Sequence, residues 1–410
     1  MPPAAKEAQD QKKGGQPAAK EGLQDIIAGH TAICHVFGGD KEKDEPGRLI
    51  YRGYDIDDLA KHSTFEEVVF LLWNTDLPNK QQLDELKKQL AANRMLPAPV
   101  IELLRRFPTT ATPMDVIRST VSTMGLFDPE GAVDTPEANR NKALRLTAQM
   151  PSIVATWHRL RQGKEPIAAK PGQTTAEAFL YMLNGEEPTD VAVRTLDVAL
   201  ILHADHEFNA STFAARVTAA TLSDMHSAVT SAVGALIGPL HGGANEGVIH
   251  TLQKIGEVDK VESFVMDLFK DRTKRIMGFG HRVYRSTDPR ATHLREMSQE
   301  LGKRNGDLKF WEMSRKMEDV VWREKKLNAN VDFYSASTYW ALGLPTDLFT
   351  PVFAVSRIAG WTAHILEQYS DNRIIRPLAE YMGDWERDYV PIDKRDGQQA
   401  KQTQPAQQKG

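Results

Sequence analysis

Residues 222–243 read LSDMHSAVTSAVGALIGPLHGG. Leu222, Met225, Val229, Ala232 or Val233, and Leu236 recur at intervals of three and four, which places them along one stripe of an α-helix. The small side chains between them permit close helix packing, and Gly238 with Pro239 ends the run. The same period returns at Val352, Val355, Ile358, Thr362, Ile365 and Tyr369, just after Pro351, a residue favoured in a helix's first turn. Upstream, Thr64 stands three residues before Glu67, the spacing of a capping box, and Phe65, Val68, Val69 and Leu72 supply a buried face for the helix it opens. Within residues 29–54, Ile33, His35 and Phe37 alternate ahead of the loop GGDKEKDEPG at 38–47 and predict a small hairpin. Strand signals elsewhere are thin. No repeat of fixed period is visible, so a solenoid is not expected. The reading is a mainly α, multi-helical fold.

Two Gly/Pro breaks, Gly238 to Gly243 and Gly343 to Pro345, bracket a segment of about a hundred residues, the size of a small domain. We therefore expect a large helical domain over 23–242, an inserted small helical domain over 243–346 and a return to the large domain over 347–390. Residues 1–22 and 391–410 are polar and nearly free of large apolar side chains, which predicts a disordered arm and a disordered tail. Of the 410 residues, 41% are hydrophobic and 26% charged, enough to build a buried core. Lys and Arg number 51 against 55 Asp and Glu, so no overall basic field exists to hold a nucleic-acid backbone. The most apolar window, Ala228 to Leu240, is too short to span a bilayer, which needs about 20 such residues. A single cysteine, Cys34, excludes an internal disulfide and a Cys-rich zinc site and fits a reducing compartment.

Chemistry concentrates around histidine. In GPLHGGANEG, residues 238–247, His241 sits at a helix exit beside two glycines that let a ligand approach the backbone; a Gly-rich helix stop explains the same residues. In GFGHRVYRSTDPRA, residues 278–291, His281 lies among Arg282, Arg285 and Arg290, a set that can bind a small anion, since guanidinium forks grip carboxylates and phosphates at two points. A solvated basic turn in which Asp288 and Pro289 start a helix is the alternative. Asp332, in NANVDFYSA, stands between Val331 and Phe333, where apolar neighbours raise a carboxyl pKa toward that of a useful base; for an isolated Asp, a helix N-cap or Asx-turn beside Asn330 is the commoner explanation. Arg357 and Arg376 lie near apolar helical segments, where an unpaired guanidinium is costly, although structural ion pairs would also account for them. His203, Asp205 and His206 in LHADHEFNAS invite a metal, since imidazoles three apart on a helix share a face, but no further ligand motif accompanies them.

Taken together and in this order, HGGAN, GFGHRVY and NVDFYS, within a match running from YRGYDIDDLA (51–60) to IIRPLAEYMG (374–383), resemble the citrate synthase family. The resemblance implies a dimeric, predominantly helical enzyme whose small domain closes over the substrates acetyl-CoA and oxaloacetate. It implies the trio His241, His281 and Asp332 as catalytic residues. A thioester methyl group is a weak acid, so its deprotonation calls for a placed carboxylate, Asp332, and for a donor at the carbonyl oxygen, His241. His281 would polarise the oxaloacetate ketone. The resemblance nominates His206, Arg290, Arg357 and Arg376 for the oxaloacetate carboxylates, the last reaching across the dimer interface. It nominates Arg285 for a CoA phosphate, and Gly278, Gly280 and Asn330 for the adenine and pantetheine. It implies no metal, no cofactor beyond the CoA thioester itself, and a cytoplasmic enzyme. The chain lacks the longer N-terminal β-domain of hexameric relatives, so a simple dimer is expected. Relatives that use propionyl-CoA to make 2-methylcitrate share these residues. Two readings of other classes also stand: a catalytically silent helical CoA-binding protein, and a metal hydrolase built on His203 and His206.

Overall fold

Side-chain caps decide where most helices start. Thr64, Asn79, Thr112, Thr135, Thr174, Thr189, Asn209, Asp224, Asp288 and Asn330 each accept a first-turn N–H, satisfying a donor that the helix terminus leaves open. At Thr64 the full capping box forms, with Glu67 reaching back to the Thr64 backbone.

The computed structural model describes residues 23, 26–40, 43, 45–271 and 276–395. Its helices are α1 (Ile56–His62), α2 (Phe65–Trp73), α3 (Lys80–Ala92), α4 (Ala98–Arg106), α5 (Pro113–Met124), α6 (Pro136–Leu160), α7 (Thr175–Asn184) and α8 (Asp190–His203). There follow α9 (Ala210–Ala219), α10 (Met225–Leu236), α11 (Ala244–Ile255), α12 (Val261–Lys270), α13 (Pro289–Asn305), α14 (Lys309–Lys325), α15 (Val331–Ala341) and α16 (Phe349–Ser370). Three short strands, β1 (Cys34–Phe37), β2 (Arg48–Tyr51) and β3 (Tyr54–Asp55), form one antiparallel sheet in sequence order. The fold is thus mainly α, as the periodicities predict.

Helix α16 is buried on almost every side from Phe349 to Ile365, the condition of a central helix, and α2, α6, α8, α9 and α10 pack around it. Between the two Gly/Pro breaks, α13, α14 and α15 pack on one another, with α11 also against α15. Residues Gly29–Ile375 make one unit; Met1–Ala28 with Arg376–Gly410 make another, which within the described residues ends in an exposed 3-10 turn at Ile392–Lys394. The arm expected over 1–22 lies outside the described residues, as do 396–410 of the expected tail.

Three local expectations need correction. Leu222 is not on the α10 stripe: Asp224 caps the helix two residues later, and Leu222 is left 62% exposed in a turn at φ +63°. Helix α16 starts at Phe349, so Pro351 lies inside its first turn rather than ahead of it. In the hairpin, Cys34 and Val36 face the core opposite Tyr51 and Leu49, while His35 and Phe37 face out; the inward register is set by Leu49 and Tyr51, both fully buried.

Candidate active site

Helix ends carry most of the candidate side chains. His206 follows α8, His241 lies between α10 and α11, His281 precedes α13, Arg290 is in the first turn of α13 and Asp332 in the first turn of α15. Arg357 comes from the middle of α16, where it is 1% exposed. The His206 and His281 rings meet edge to face at 5.2 Å, and both pack on Tyr284, at 5.5 and 4.7 Å. The charges of Arg290, His281, Arg357 and His241 all bear on His206, and those of Arg290, Asp288 and Arg357 bear on Asp332. Six of the nominated residues therefore converge. Arg376, exposed, belongs to the other unit.

Backbone amides fix the state of the two histidines at the glycine motifs. His281 Nδ1 accepts the N–H groups of Val283 (3.0 Å) and Tyr284 (3.1 Å), which leaves its proton on Nε2. His241 Nε2 accepts the N–H of Ser211 in the first turn of α9 (3.3 Å), which leaves its proton on Nδ1. The Ser211 hydroxyl, itself receiving the Trp361 indole N–H, lies 2.9 Å from the same nitrogen. Burial then keeps both rings neutral: it pulls His281 down to about 4, helped by the charge of Arg290, and His241 down to about 4, helped by Arg357. Each ring presents one N–H as a neutral donor. His206 is likewise held well below the ordinary imidazole range by burial and the nearby cations.

Asp332 is shifted the other way. Burial raises its carboxyl to about 6, Asp288 adds to the rise, and Arg290 and Arg357 oppose it. Its side chain does not cap α15. Asn330 does that, accepting the Asp332 N–H at 3.0 Å, so the carboxylate is left for chemistry.

The cations are held differently. Arg290 makes a two-point pair with Asp288, Nε to Oδ1 at 3.0 Å and Nη2 to Oδ2 at 2.9 Å, while the Val331 N–H donates to the same carboxylate at 3.0 Å. Asp288 thereby ties Arg290 to the start of the Asp332 helix. Arg357 donates through Nε to the His203 carbonyl at 2.6 Å, and its Nη1, like His206 Nε2, is buried with no hydrogen-bond partner among the described residues. Buried polar atoms of this kind call for a partner. Behind them Asp205 takes His364 Nε2 at 3.1 Å and is gripped through its backbone by the Tyr51 hydroxyl.

The glycines and Asn330 nominated for CoA have architectural work as well. The Gly280 N–H donates to Asn328 O and the Asn330 N–H to Gly278 O, both at 2.9 Å, and Asn330 Nδ2 donates to Gly280 O at 2.8 Å. This short antiparallel contact zips the His281 loop to the Asp332 helix. Gly278 sits at φ +79°, and a Cβ there would lie 2.7 Å from Val248 Cγ2. Arg285 is exposed, with its backbone N–H on Gly38 O. The metal reading loses its geometry: His203 donates Nδ1–H to Ala199 O at 2.7 Å and packs on Phe353 at 4.8 Å, whereas the His206 ring faces His281 and Tyr284. Among the described residues no three His, Cys, Asp or Glu side chains group as metal ligands, and no helix is long and apolar enough to cross a membrane.

Sequence reasoning passed over Ser211 and Tyr284, and read Asp205 only beside His203 and His206 as a candidate metal ligand. Ser211 lies thirty positions from His241 with nothing in its local pattern to mark it, and Tyr284 reads as one more apolar residue in a basic loop. Asp288 was legible as a helix start, which it is, but not as the partner of Arg290.

The chain is similar to known proteins over most of its length. The family model "Citrate synthase, C-terminal domain" matches residues 22–378. The chain is 50% identical over 378 residues to citrate synthase 2 of Bacillus subtilis, covering 92% of this chain and 99% of that protein. It is 43% identical over 375 residues to the 2-methylcitrate synthase of Shewanella oneidensis, covering 91% and 97%. The solved ternary complex of carboxymethyl coenzyme A and oxaloacetate with citrate synthase from Thermoplasma acidophilum superposes with a TM-score of 0.84 at 33% identity, covering 91% of this chain and 98% of that one.

Proposed function

The chain belongs to the citrate synthase family, acyltransferases that condense acetyl-CoA with oxaloacetate and water to give citrate and CoA, and we propose that His241, His281 and Asp332 carry the chemistry in this member. Arg290, Arg357 and His206 bind the oxaloacetate carboxylates, and Arg376 of a second copy completes the set. The His281 Nε2–H bonds the ketone oxygen and makes its carbon electrophilic. Asp332 removes a proton from the acetyl methyl group while the His241 Nδ1–H stabilises charge building on the thioester oxygen. The enolate carbon attacks the ketone carbon, the alkoxide oxygen takes up a proton, and water cleaves the citryl thioester to release CoA. Arg285, Gly278, Gly280 and Asn330 hold CoA. The observation that carries this reading is the pair of backbone-pinned tautomers: two neutral imidazoles, each with one donor left over, beside a carboxyl of raised pKa.

Residues 243–346 act as the small domain, closing on oxaloacetate to exclude water from the enolate. The second copy docks where Leu126, Phe127 and Leu222 stand exposed near the start of α10 and Leu240 beyond its end. The enzyme works in the cytoplasm, where the buried Cys34 thiol stays reduced.

Free-thiol release tests the assignment when acetyl-CoA and propionyl-CoA are compared, each with oxaloacetate. One methylene is worth about 1–3 kcal/mol in a pocket, so acetyl-CoA is expected to lead in kcat/KM by at least tenfold. A lead for propionyl-CoA would make the chain a 2-methylcitrate synthase, and thiol release from neither would leave a CoA-binding protein. Because Asp332 must be ionised to act, raising pH through about 6 switches the base on. We expect kcat/KM for acetyl-CoA to fall about tenfold per pH unit below that value. The neutral histidines add a further loss only near pH 4. A profile flat from pH 5 to 8 would contradict the base assignment.

A further inference from the structure

The turn between β1 and β2 touches the His281 loop through glycines. Gly38 O accepts the N–H groups of Arg285 (2.7 Å) and Ser286 (3.3 Å). A Cβ on Gly38 would lie 2.5 Å from Val283 O, and one on Gly47 would lie 2.6 Å from Thr287 O and 2.6 Å from Tyr284 Cδ1. Neither glycine has a positive φ, so the backbone at these two positions would accept any residue. The obstacle to a side chain is the loop itself. Turn chemistry therefore explains Gly39, at φ +76°, but leaves Gly38 and Gly47 to be explained by close approach.

The seated loop, residues 283–287, joins two parts of the oxaloacetate site. At its start the Val283 and Tyr284 amides hold His281 Nδ1; at its end Asp288 holds Arg290 and the first amide of α15. A displacement at Val283 or Thr287 would act on both through these contacts.

We infer that the Gly38–Gly47 turn is a positioning element of the active site: its two side-chain-free positions let the 283–287 loop settle where His281 and Arg290 meet the same substrate. This rests on the condensation reading above. The turn touches no reacting atom.

The test is Gly38→Ala and Gly47→Ala in the full-length enzyme, with Lys43→Ala at the exposed part of the turn as control. We expect each glycine variant to lose about 10- to 100-fold in kcat/KM for oxaloacetate, the cost of sub-ångström misplacement, with the melting temperature close to wild type. Lys43→Ala is expected to stay within twofold. Glycine variants within twofold of wild type, or losses that only track the unfolded fraction, would overturn the inference. Should both variants fail to fold, hydrogen exchange on the wild-type enzyme decides: slow exchange at Arg285 and Ser286 supports the seat, and fast exchange at both overturns it. Wild-type protein that releases no thiol would sink the condensation reading alone, and the exchange result would still judge the seat.

Discussion

Asp332→Ala lowers kcat for thiol release by about 10³- to 10⁴-fold and leaves oxaloacetate bound at least as tightly as in the wild type. The first part follows from the base: among the described residues, the other buried carboxylates near these cations are already engaged, Asp288 by Arg290 and the α15 amide and Asp205 by His364. The second follows from charge. Asp332 acts on Arg290 and Arg357, so removing its negative charge leaves more cationic field for a dicarboxylate. The fold is spared, since the α15 cap is Asn330 and not Asp332. Calorimetric titration with oxaloacetate, beside the thiol assay, separates the two parts. Near-normal turnover would end the assignment of Asp332, and loss of oxaloacetate binding would recast it as a structural residue.

What the sequence discloses here follows the range of the interaction. Asp332 between Val331 and Phe333 already announces a desolvated carboxyl, and its raised pKa has that origin, since burial is the largest contribution. Helix periods and caps are local too, and Thr64 with Glu67 forms the box its spacing calls for. Contacts across the fold are another matter. The His241 tautomer depends on Ser211, the grip on Arg357 depends on the His203 carbonyl 154 positions away, and the seat for the His281 loop depends on a turn more than two hundred residues upstream. None of these leaves a mark in its own neighbourhood. Gly38 and Gly47 show the limit well: both sit in a stretch that reads as an ordinary polar turn, and their reason lies in another part of the chain. Leu222 shows the opposite failure, a periodic residue excluded from its helix because Asp224 offers a better start.

Arg357→Leu should cost oxaloacetate binding about 2–5 kcal/mol, which is a rise in Kd of roughly 30-fold to several thousand-fold, while the protein stays folded. Arg357 is buried in α16 with its guanidinium 4.5 Å from the Phe353 ring centre, and burial pulls its pKa below the ordinary guanidinium range against the charge of Asp205. Among the described residues Nε donates to the His203 carbonyl and the buried Nη1 has no hydrogen-bond partner. So costly a cation, with so little internal pairing, is what an incoming carboxylate would need. Leucine fills much of the stem's volume and removes the desolvation cost. Asp205 keeps His364 as a partner, so the melting temperature should move little. Arg357→Lys should recover only part of the affinity, because an ammonium cannot hold the His203 carbonyl and a carboxylate in the planar fork that a guanidinium offers. The decisive comparison is oxaloacetate Kd against melting temperature across the two variants. Affinity that stays within threefold of wild type in Arg357→Leu would assign Arg357 to the core and not to the substrate, and a collapse of the melting temperature with affinity following it would do the same.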